Sequence, residues 1–251
     1  MNDDQLLRFS RQIMLPDFDI AGQEKLLNAK VLLIGLGGLG SPIAMYLGAA
    51  GVGELILVDD DQVDVSNLQR QIAHREQDIG VNKANSAARA VNDLNGHTNV
   101  TIIERRLEGV ELEKQIDCVD LVIDATDNFD SRHTINQFCW ETKTPLVSGA
   151  AIRWEGQISV FDPTDPQSPC YQCLYPETST GNSAALNCSE NGVIAPLVGI
   201  IGSCQALEAI KYLAGVGSSL VGYSLFFDSK YMEWRKLKLS KAKDCPVCSK
   251  G

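Results

Sequence analysis

Lys30-Val31-Leu32-Leu33-Ile34-Gly35-Leu36-Gly37-Gly38-Leu39-Gly40-Ser41-Pro42 is the stretch on which the fold turns. A short apolar strand runs directly into a Gly-x-Gly-x-x-Gly loop. Ser41-Pro42 then opens a helix, with a capping residue followed by proline at the first helical position. Glycine at these positions permits a tight turn and a close approach of backbone to phosphate, while the helix start aims N–H dipoles at the same point. Such a loop alone is weak. Its context carries it: strand before, helix after, and Asp59 at the end of the next strand, about 20 residues on, where a carboxylate accepts ribose hydroxyls. A plain strand-to-helix turn is the bland alternative. No lysine follows the loop in the Walker manner, which excludes P-loop chemistry.

Outward from this stretch the chain alternates. Residues 3–29 read as short helices, 30–34 as the first strand and 41–50 as an Ala/Leu-rich helix. Residues 54–58 form a second strand, 60–81 an irregular segment and 83–94 a helix. Strands at 100–104 and 121–124, a helix over 131–141 and a strand at 145–148 complete the first part. After Gly149 the pattern changes to an alternating strand at 157–162, a Ser/Thr/Asn/Gly-rich loop at 176–190, a long apolar helix over 194–213 and a hairpin of 223–228 with 233–239. The expected fold is α/β: a Rossmann-like, mostly parallel sheet with helices on both faces, extended by C-terminal antiparallel strands. All of 1–251 reads as one unit, with N-terminal helices (1–29), a nucleotide-binding core (30–149) and a C-terminal part (150–251).

Two cysteine pairs share one spacing: Cys170-Tyr171-Gln172-Cys173 and Cys245-Pro246-Val247-Cys248. Each lets two thiolates reach one ion, and together they make the four-sulfur set of a closed structural Zn²⁺ site. The site would tie the C-terminal end of the chain to its middle. The chain has eight cysteines. Its N-terminus carries neither the basic start nor the apolar core of a signal peptide, so metal and reduced thiols are preferred over disulfides or a redox pair. Cys118, Cys139 and Cys204 read as small buried hydrophobes. The net charge of −10 disfavours nucleic acid or an anionic membrane as main partner. The apolar runs read as too short to span a bilayer, and a cytoplasmic protein is expected.

Charge also discriminates among ligands. A dinucleotide pyrophosphate carries about two negative charges and often needs little beyond a helix terminus. ATP carries about four and needs cations and Mg²⁺. Arg11, Arg70 in Ser66-Asn67-Leu68-Gln69-Arg70-Gln71, and Lys83 are candidate cations, each of which alone also reads as a solvated surface charge. Asp127 of Asp124-Ala125-Thr126-Asp127-Asn128 follows a strand end, where open α/β sheets place their sites, and is a candidate Mg²⁺ ligand. Asp124 reads equally as a ligand or as a structural cap. His74, His97 and His133 form no spaced set, and none is assigned to catalysis. An NAD-dependent oxidoreductase and a non-catalytic zinc scaffold stand as alternatives to an ATP-using enzyme.

At this point the chain resembles the E1-like adenylyltransferases of the MoeB and ThiF type, relatives of ubiquitin-activating enzymes. The matching stretches are residues 8–13, 35–40, 59–61, 66–71, Lys83, 124–128, 170–173, 192–205 and 245–248. The resemblance implies a homodimer that binds Mg-ATP and the C-terminal Gly-Gly tail of a ubiquitin-fold sulfur carrier. The tail carboxylate attacks the α-phosphate, giving an acyl-adenylate and pyrophosphate, and the activated carboxyl later becomes a thiocarboxylate. By resemblance, Asp59 holds the ribose, and Gly38 and its neighbours approach the nucleotide. Asp61, Asn67, Gln69 and Asn128 belong to the same nucleotide site, with Asn67 and Gln69 positioning phosphates. Arg70 and Lys83 neutralise the leaving pyrophosphate, Asp127 holds Mg²⁺, and Arg11 reaches into the partner subunit's site.

Ser148-Gly149-Ala150-Ala151-Ile152-Arg153, residues 155–160 and residues 195–203 look more MoeB-like, pointing to a MoaD-like carrier and molybdopterin biosynthesis. A ThiS-like carrier of the thiamin pathway is the alternative. The chain ends soon after Cys248, so sulfur is expected from a separate donor protein. Cys188, in Asn187-Cys188-Ser189, falls where some relatives carry a carrier-bonding thiol. Catalytic and bystander readings of Cys188 both stand.

Overall fold

The structure is a computed structural model that describes residues 1–176 and 192–249. Asn2 opens the chain with a reciprocal cap: its side chain accepts from Gln5 N–H, and Gln5 returns the bond to Asn2 N–H. Helices α1 (Asp3–Arg8), α2 (Ser10–Ile13) and α3 (Asp19–Asn28) follow, and β1 (Lys30–Ile34) leads into the glycine loop and α4 (Gly40–Ala50). Then come β2 (Glu54–Val58), α5 (Lys83–Leu94), β3 (Asn99–Ile103), α6 (Gly109–Asp117), β4 (Leu121–Asp124) and α7 (Phe129–Thr142). The C-terminal part holds β5 (Leu146–Ile152), β6 (Glu155–Phe161), α8 (Tyr171–Leu174), α9 (Ala195–Ala214), β7 (Tyr223–Asp228) and β8 (Glu233–Lys238).

All eight strands lie in one sheet in the order β3-β2-β1-β4-β5-β6-β7-β8. β3 to β5 are parallel to one another; β5 to β8 pair antiparallel. Alternation along the strands decides the two layers. Val31, Leu33, Leu55 and Leu57 face Ile43 and Leu47 of α4, Val91 of α5 and Ile201 of α9. Leu32, Ile56 and Val122 face the other way, onto Leu112 and Ile116 of α6 and Ile135 and Cys139 of α7. Each such side chain stabilises the fold by roughly 1.5–3 kcal/mol on burial. Strand order reverses at β1, so a crevice opens between the C-terminal ends of β1 and β4.

Several boundaries depart from the expected ones. Helix α6 was not legible: only Leu112 and Ile116 of its residues are buried, and it opens on a glycine. α4 begins one residue early, and Ser41 is not its cap. Ser41 N–H donates to Gly37 C=O within the loop at 3.0 Å, while the Ser41 hydroxyl is buried without a partner among the described residues. β5 does not stop at 148 but continues to Ile152. Gly149 sits inside it because the Gln205 side chain fills the space above; a Cβ there would lie 2.2 Å from Gln205 Oε1. α9, at 20 residues with mean hydropathy 1.3, is long and apolar enough to cross a membrane by length and composition, contrary to the expectation of shorter runs. In the fold it packs on α4, β5 and β6, and buries Gln205 and Glu208 as well.

Candidate active site and metal centre

The glycine loop is built by backbone proximity. Gly35 adopts φ +92°, and a Cβ on it would lie 2.7 Å from Ala125 C=O. A Cβ on Gly40 would fall 1.9 Å from Gly35 C=O, and one on Gly38 2.8 Å from Val198 Cγ2. Only glycine fits these three places. Asp59, at the end of β2, fastens the loop: its Oδ2 accepts from Leu36 N–H at 2.6 Å and its Oδ1 from Asp61 N–H at 2.9 Å. Burial pushes the Asp59 carboxyl above its ordinary value, while Lys83 and these N–H bonds pull the other way. Its expected role as a ribose acceptor thus comes with a tethering role that the motif alone does not announce.

A cavity of about 540 Å³ opens over this loop, within the usual range for a small-molecule site. Gly37, Gly38, Asp59, Asp61, Asn67, Arg70, Lys83, Asp127 and Asn128 all line it. Lys83 is the first residue of α5, whose cap Asn82 accepts from Ala84 N–H at 2.8 Å. Its side chain is 8% exposed and donates to the mostly exposed Asp61 carboxylate at 2.7 Å. An anion entering the cavity competes for that ammonium against a partner screened by water.

The segment after Asp64 turns tightly. Asn67 C=O accepts from both Arg70 N–H and Gln71 N–H at 3.0 Å. Residues three and four apart in such a turn share a face, so Asn67, Arg70 and Gln71 point to the cavity. Gln69, expected to position phosphates, is exposed and outside the lining. Gln71 is one residue that reasoning from sequence missed. It is 3% exposed, and its Oε1 is buried without a partner among the described residues. The helical offset from Asn67 was the available signal.

Across the cavity, Asp124 is a turn-builder. It is fully buried and accepts from Thr126 N–H (3.0 Å), Thr126 Oγ1 (2.7 Å) and Ser148 Oγ (2.9 Å). Asn128 caps α7 by accepting from Ser131 N–H at 2.9 Å. Asp127, held between these two fixed residues, is exposed at the cavity wall. Arg106 and the buried Arg132 also line the cavity, and neither was foreseen; the Arg132 guanidinium donates to Thr126 C=O. Arg11 lies exposed on α2 and does not line the cavity of its own chain. Cys188 lies outside the described residues.

The four paired cysteines converge away from the cavity. Cys170 Sγ is 3.5 Å from Cys245 Sγ and 3.9 Å from Cys173 Sγ, and Cys173 Sγ is 3.3 Å from Cys248 Sγ. All four sulfurs lie within 4.8 Å of one another. Four sulfurs held tetrahedrally about 2.3 Å from one ion stand about 3.8 Å apart, so the cluster fits zinc. Ala242 N–H donates to Cys173 Sγ at 3.3 Å, as a thiolate acceptor requires. Burial and the neighbouring Cys173 push the Cys170 thiol up to about 12, and burial raises Cys248 as well. Burial also acts to raise Cys245, but hydrogen bonds from Cys248 and Val247 N–H outweigh it and hold that thiol below its ordinary value. Four thiolates this close need a dication to offset their repulsion.

A profile described as the ThiF family matches residues 9–247. The molybdopterin-synthase adenylyltransferase of Escherichia coli (strain K12) is 46% identical over 248 residues, covering 99% of this chain and 98% of that protein. The sulfur carrier protein ThiS adenylyltransferase of the same organism is 44% identical over 248 residues, covering 99% and 97%. A Drosophila virilis adenylyltransferase and sulfurtransferase is 42% identical over 250 residues, and the chain spans 55% of its length. The crystal structure of E. coli MccB with ATP superposes with a TM-score of 0.80 at 24% identity, covering 91% of this chain and 68% of that one, a likeness of fold. With a family profile over nearly its whole length and relatives this similar end to end, the chain belongs to the ThiF family.

Proposed function

We propose that this protein adenylates the C-terminal glycine of a ubiquitin-fold sulfur carrier with ATP, readying it for thiocarboxylate formation. The observation that carries this reading is the cavity itself. It puts a glycine cradle, a ribose-side carboxylate (Asp59), two donors for phosphate (Arg70 and Lys83) and an uncommitted carboxylate (Asp127) around one space, in a ThiF-family chain. In the proposed reaction the carrier's carboxylate attacks the α-phosphate in line, and the bond to the leaving pyrophosphate breaks. No nucleophile of the enzyme is needed. Arg70 and Lys83 offset the charge that develops on pyrophosphate, and Asn67 and Gln71 orient the phosphates. Asp127, with Asn128 fixing its turn, would hold Mg²⁺, which shields the phosphate charge when bound. Several cations around one cavity favour a triphosphate over NAD, and a pure scaffold has no use for them.

The same reading makes the enzyme a cytoplasmic homodimer in which Arg11, outside its own chain's cavity, serves the partner subunit's site. Residues 150–251 would bear the zinc and receive the carrier, and sulfur would come from a separate donor. A MoaD-like carrier is the first choice, since the molybdopterin-synthase relative is 46% identical. The ThiS relative, at 44%, favours a second reading with a ThiS-like carrier. ATP–pyrophosphate exchange against purified Gly-Gly carriers tests both. Exchange that depends on a MoaD-like carrier is expected, and exchange only with a ThiS-like one moves the enzyme to the other pathway. Carrier binding with no exchange would leave a scaffold, and tight NADH binding without ATP binding an oxidoreductase.

A further inference from the structure

Behind the glycine loop lies a buried chain of hydrogen bonds that the adenylation chemistry does not use. His74 is 5% exposed. Its Nε2 lies 2.9 Å from Leu36 C=O, and its Nδ1 lies 2.9 Å from Ser86 Oγ. Ser86 Oγ is 2.8 Å from Asp78 Oδ2, and Asp78 Oδ1 receives Arg89 Nη2 at 2.8 Å. Leu36 is the second residue of the glycine loop, and Ser86 stands one turn into α5, three residues after Lys83.

Counting protons along this chain finds one protonation state that satisfies every contact. Burial alone would raise the Asp78 carboxyl, but Ser86, Arg75 N–H and Arg89 hold it below the ordinary range, so it is ionised and only accepts. Ser86 has one hydroxyl proton, and Asp78 takes it. Nδ1 of His74 must then donate to Ser86 Oγ. Nε2 faces a carbonyl, which also only accepts, so it too must donate. Both ring nitrogens carry hydrogen only in the imidazolium. A neutral ring leaves one of three buried contacts without a proton, which is unfavourable for groups cut off from water. Against the charged form stand burial, the largest influence, and Lys83; for it stand the Leu36 hydrogen bond and Asp78. The balance holds the ring below its ordinary pKa, hence neutral above pH 7. Asp78 and Lys83 are the charged groups that act on the ring, with Arg89 behind Asp78.

We propose that His74 is a positioning residue for the glycine loop, and that it takes up a proton from solvent when a nucleoside triphosphate enters the cavity. The polyanion offsets Lys83 and adds a negative field at the loop, which favours the imidazolium. The charged ring then holds Leu36 C=O and, through Ser86 and Asp78, braces the loop against α5. Nucleotide affinity and ring protonation are therefore linked, each strengthening the other. This rests on the proposed ATP site.

The test uses the unmutated full chain. It has three histidines, so ¹⁵N-histidine spectra resolve each ring. With Mg-ATP and no carrier, the His74 titration midpoint should move up, with both nitrogens protonated in the bound state. Titration calorimetry should show ATP affinity rising as pH falls through that midpoint. His74→Gln keeps one donor for Leu36 and should bind ATP with this pH dependence flattened; Ser86→Ala, which keeps the ring, should flatten it too. A merely structural role would leave the pH profile unchanged in both. A His74 midpoint that stays or falls when ATP binds overturns the inference and leaves the ATP site standing. Failure of the unmutated protein to bind Mg-ATP overturns both.

Discussion

The two centres of this molecule are built on opposite plans. The cysteine cluster takes its four sulfurs from two short segments and turns them toward one point: Cys170, Cys245 and Cys248 are buried, and all four sulfurs lie within 4.8 Å of one another. The cavity draws its walls from many segments spread between residues 34 and 198 and, among the described residues, leaves Gln71 Oε1 without a partner and Asp127 exposed. A closed centre buys stability. An open one keeps binding capacity for a ligand and stores a small destabilisation until it arrives. Damage to the first should therefore appear as unfolding, and damage to the second as lost catalysis in an intact fold.

Asp127→Ala gives the sharpest form of that contrast. Asp127 is exposed, and the turn around it is held by Asp124 and Asn128, so the melting temperature should stay within about 1–2 °C. Carrier-dependent pyrophosphate exchange should fall at least about 10²–10³-fold, the scale for loss of one preorganised electrostatic group. Near-normal exchange would put the Mg²⁺ ligand elsewhere. Cys245→Ser should show the reverse order. Elemental analysis should find about one zinc per unmutated chain and little in the variant, with a fall in melting temperature of several degrees or more. Activity should follow the folded fraction. A metal-free variant of unchanged stability would erase the division between the centres.

Mixing experiments test whether the cavity is complete within one chain. Lys83→Ala removes a lining cation, and Arg11→Ala an exposed residue outside that lining. Each variant alone should be inactive. Mixed and allowed to exchange subunits, half the dimers are mixed, and each carries one complete site of two, so about a quarter of the activity should return. Mixed dimers that form without recovery would confine the site to one chain.

Smaller effects separate Gln71 from Gln69. Gln71→Leu should cost about tenfold in exchange, as expected for one orienting hydrogen bond of about 1.4 kcal/mol. Gln69→Ala should stay within about twofold. If the ranking inverts, the turn does not choose the facing residues as its hydrogen bonds indicate. The same pair marks how far the sequence was legible. Strand alternation and the glycine loop exposed the parallel sheet, and two equal cysteine spacings exposed the four-cysteine cluster, because both patterns are local. What stayed hidden depends on packing from a distance. Gln205 pressing on Gly149 extends β5, a weak two-residue stripe makes α6, Arg106 reaches the cavity from a loop, and Arg132 reaches it from the first turn of α7, neither within a motif. Gln71 became visible only when the turn at Asn67 had a geometry.

A near-neutral substitution is the most informative about where chemistry stops. Cys188 falls in the stretch between the two cysteine pairs. If the division of labour holds, Cys188→Ala keeps both adenylation and thiocarboxylate formation within about threefold. The reason is chemical. An acyl-adenylate already carries a good leaving group, so a persulfide on an external donor can attack its carbonyl directly and expel AMP. A thioester on this protein would add a stage without lowering the barrier that matters. The opposite outcome has its own signature: adenylation intact, sulfur transfer lost, and a covalent carrier adduct on the unmutated protein visible by mass spectrometry. That result would give the C-terminal part a catalytic thiol, and it would shift the carrier assignment toward the ThiS-like alternative.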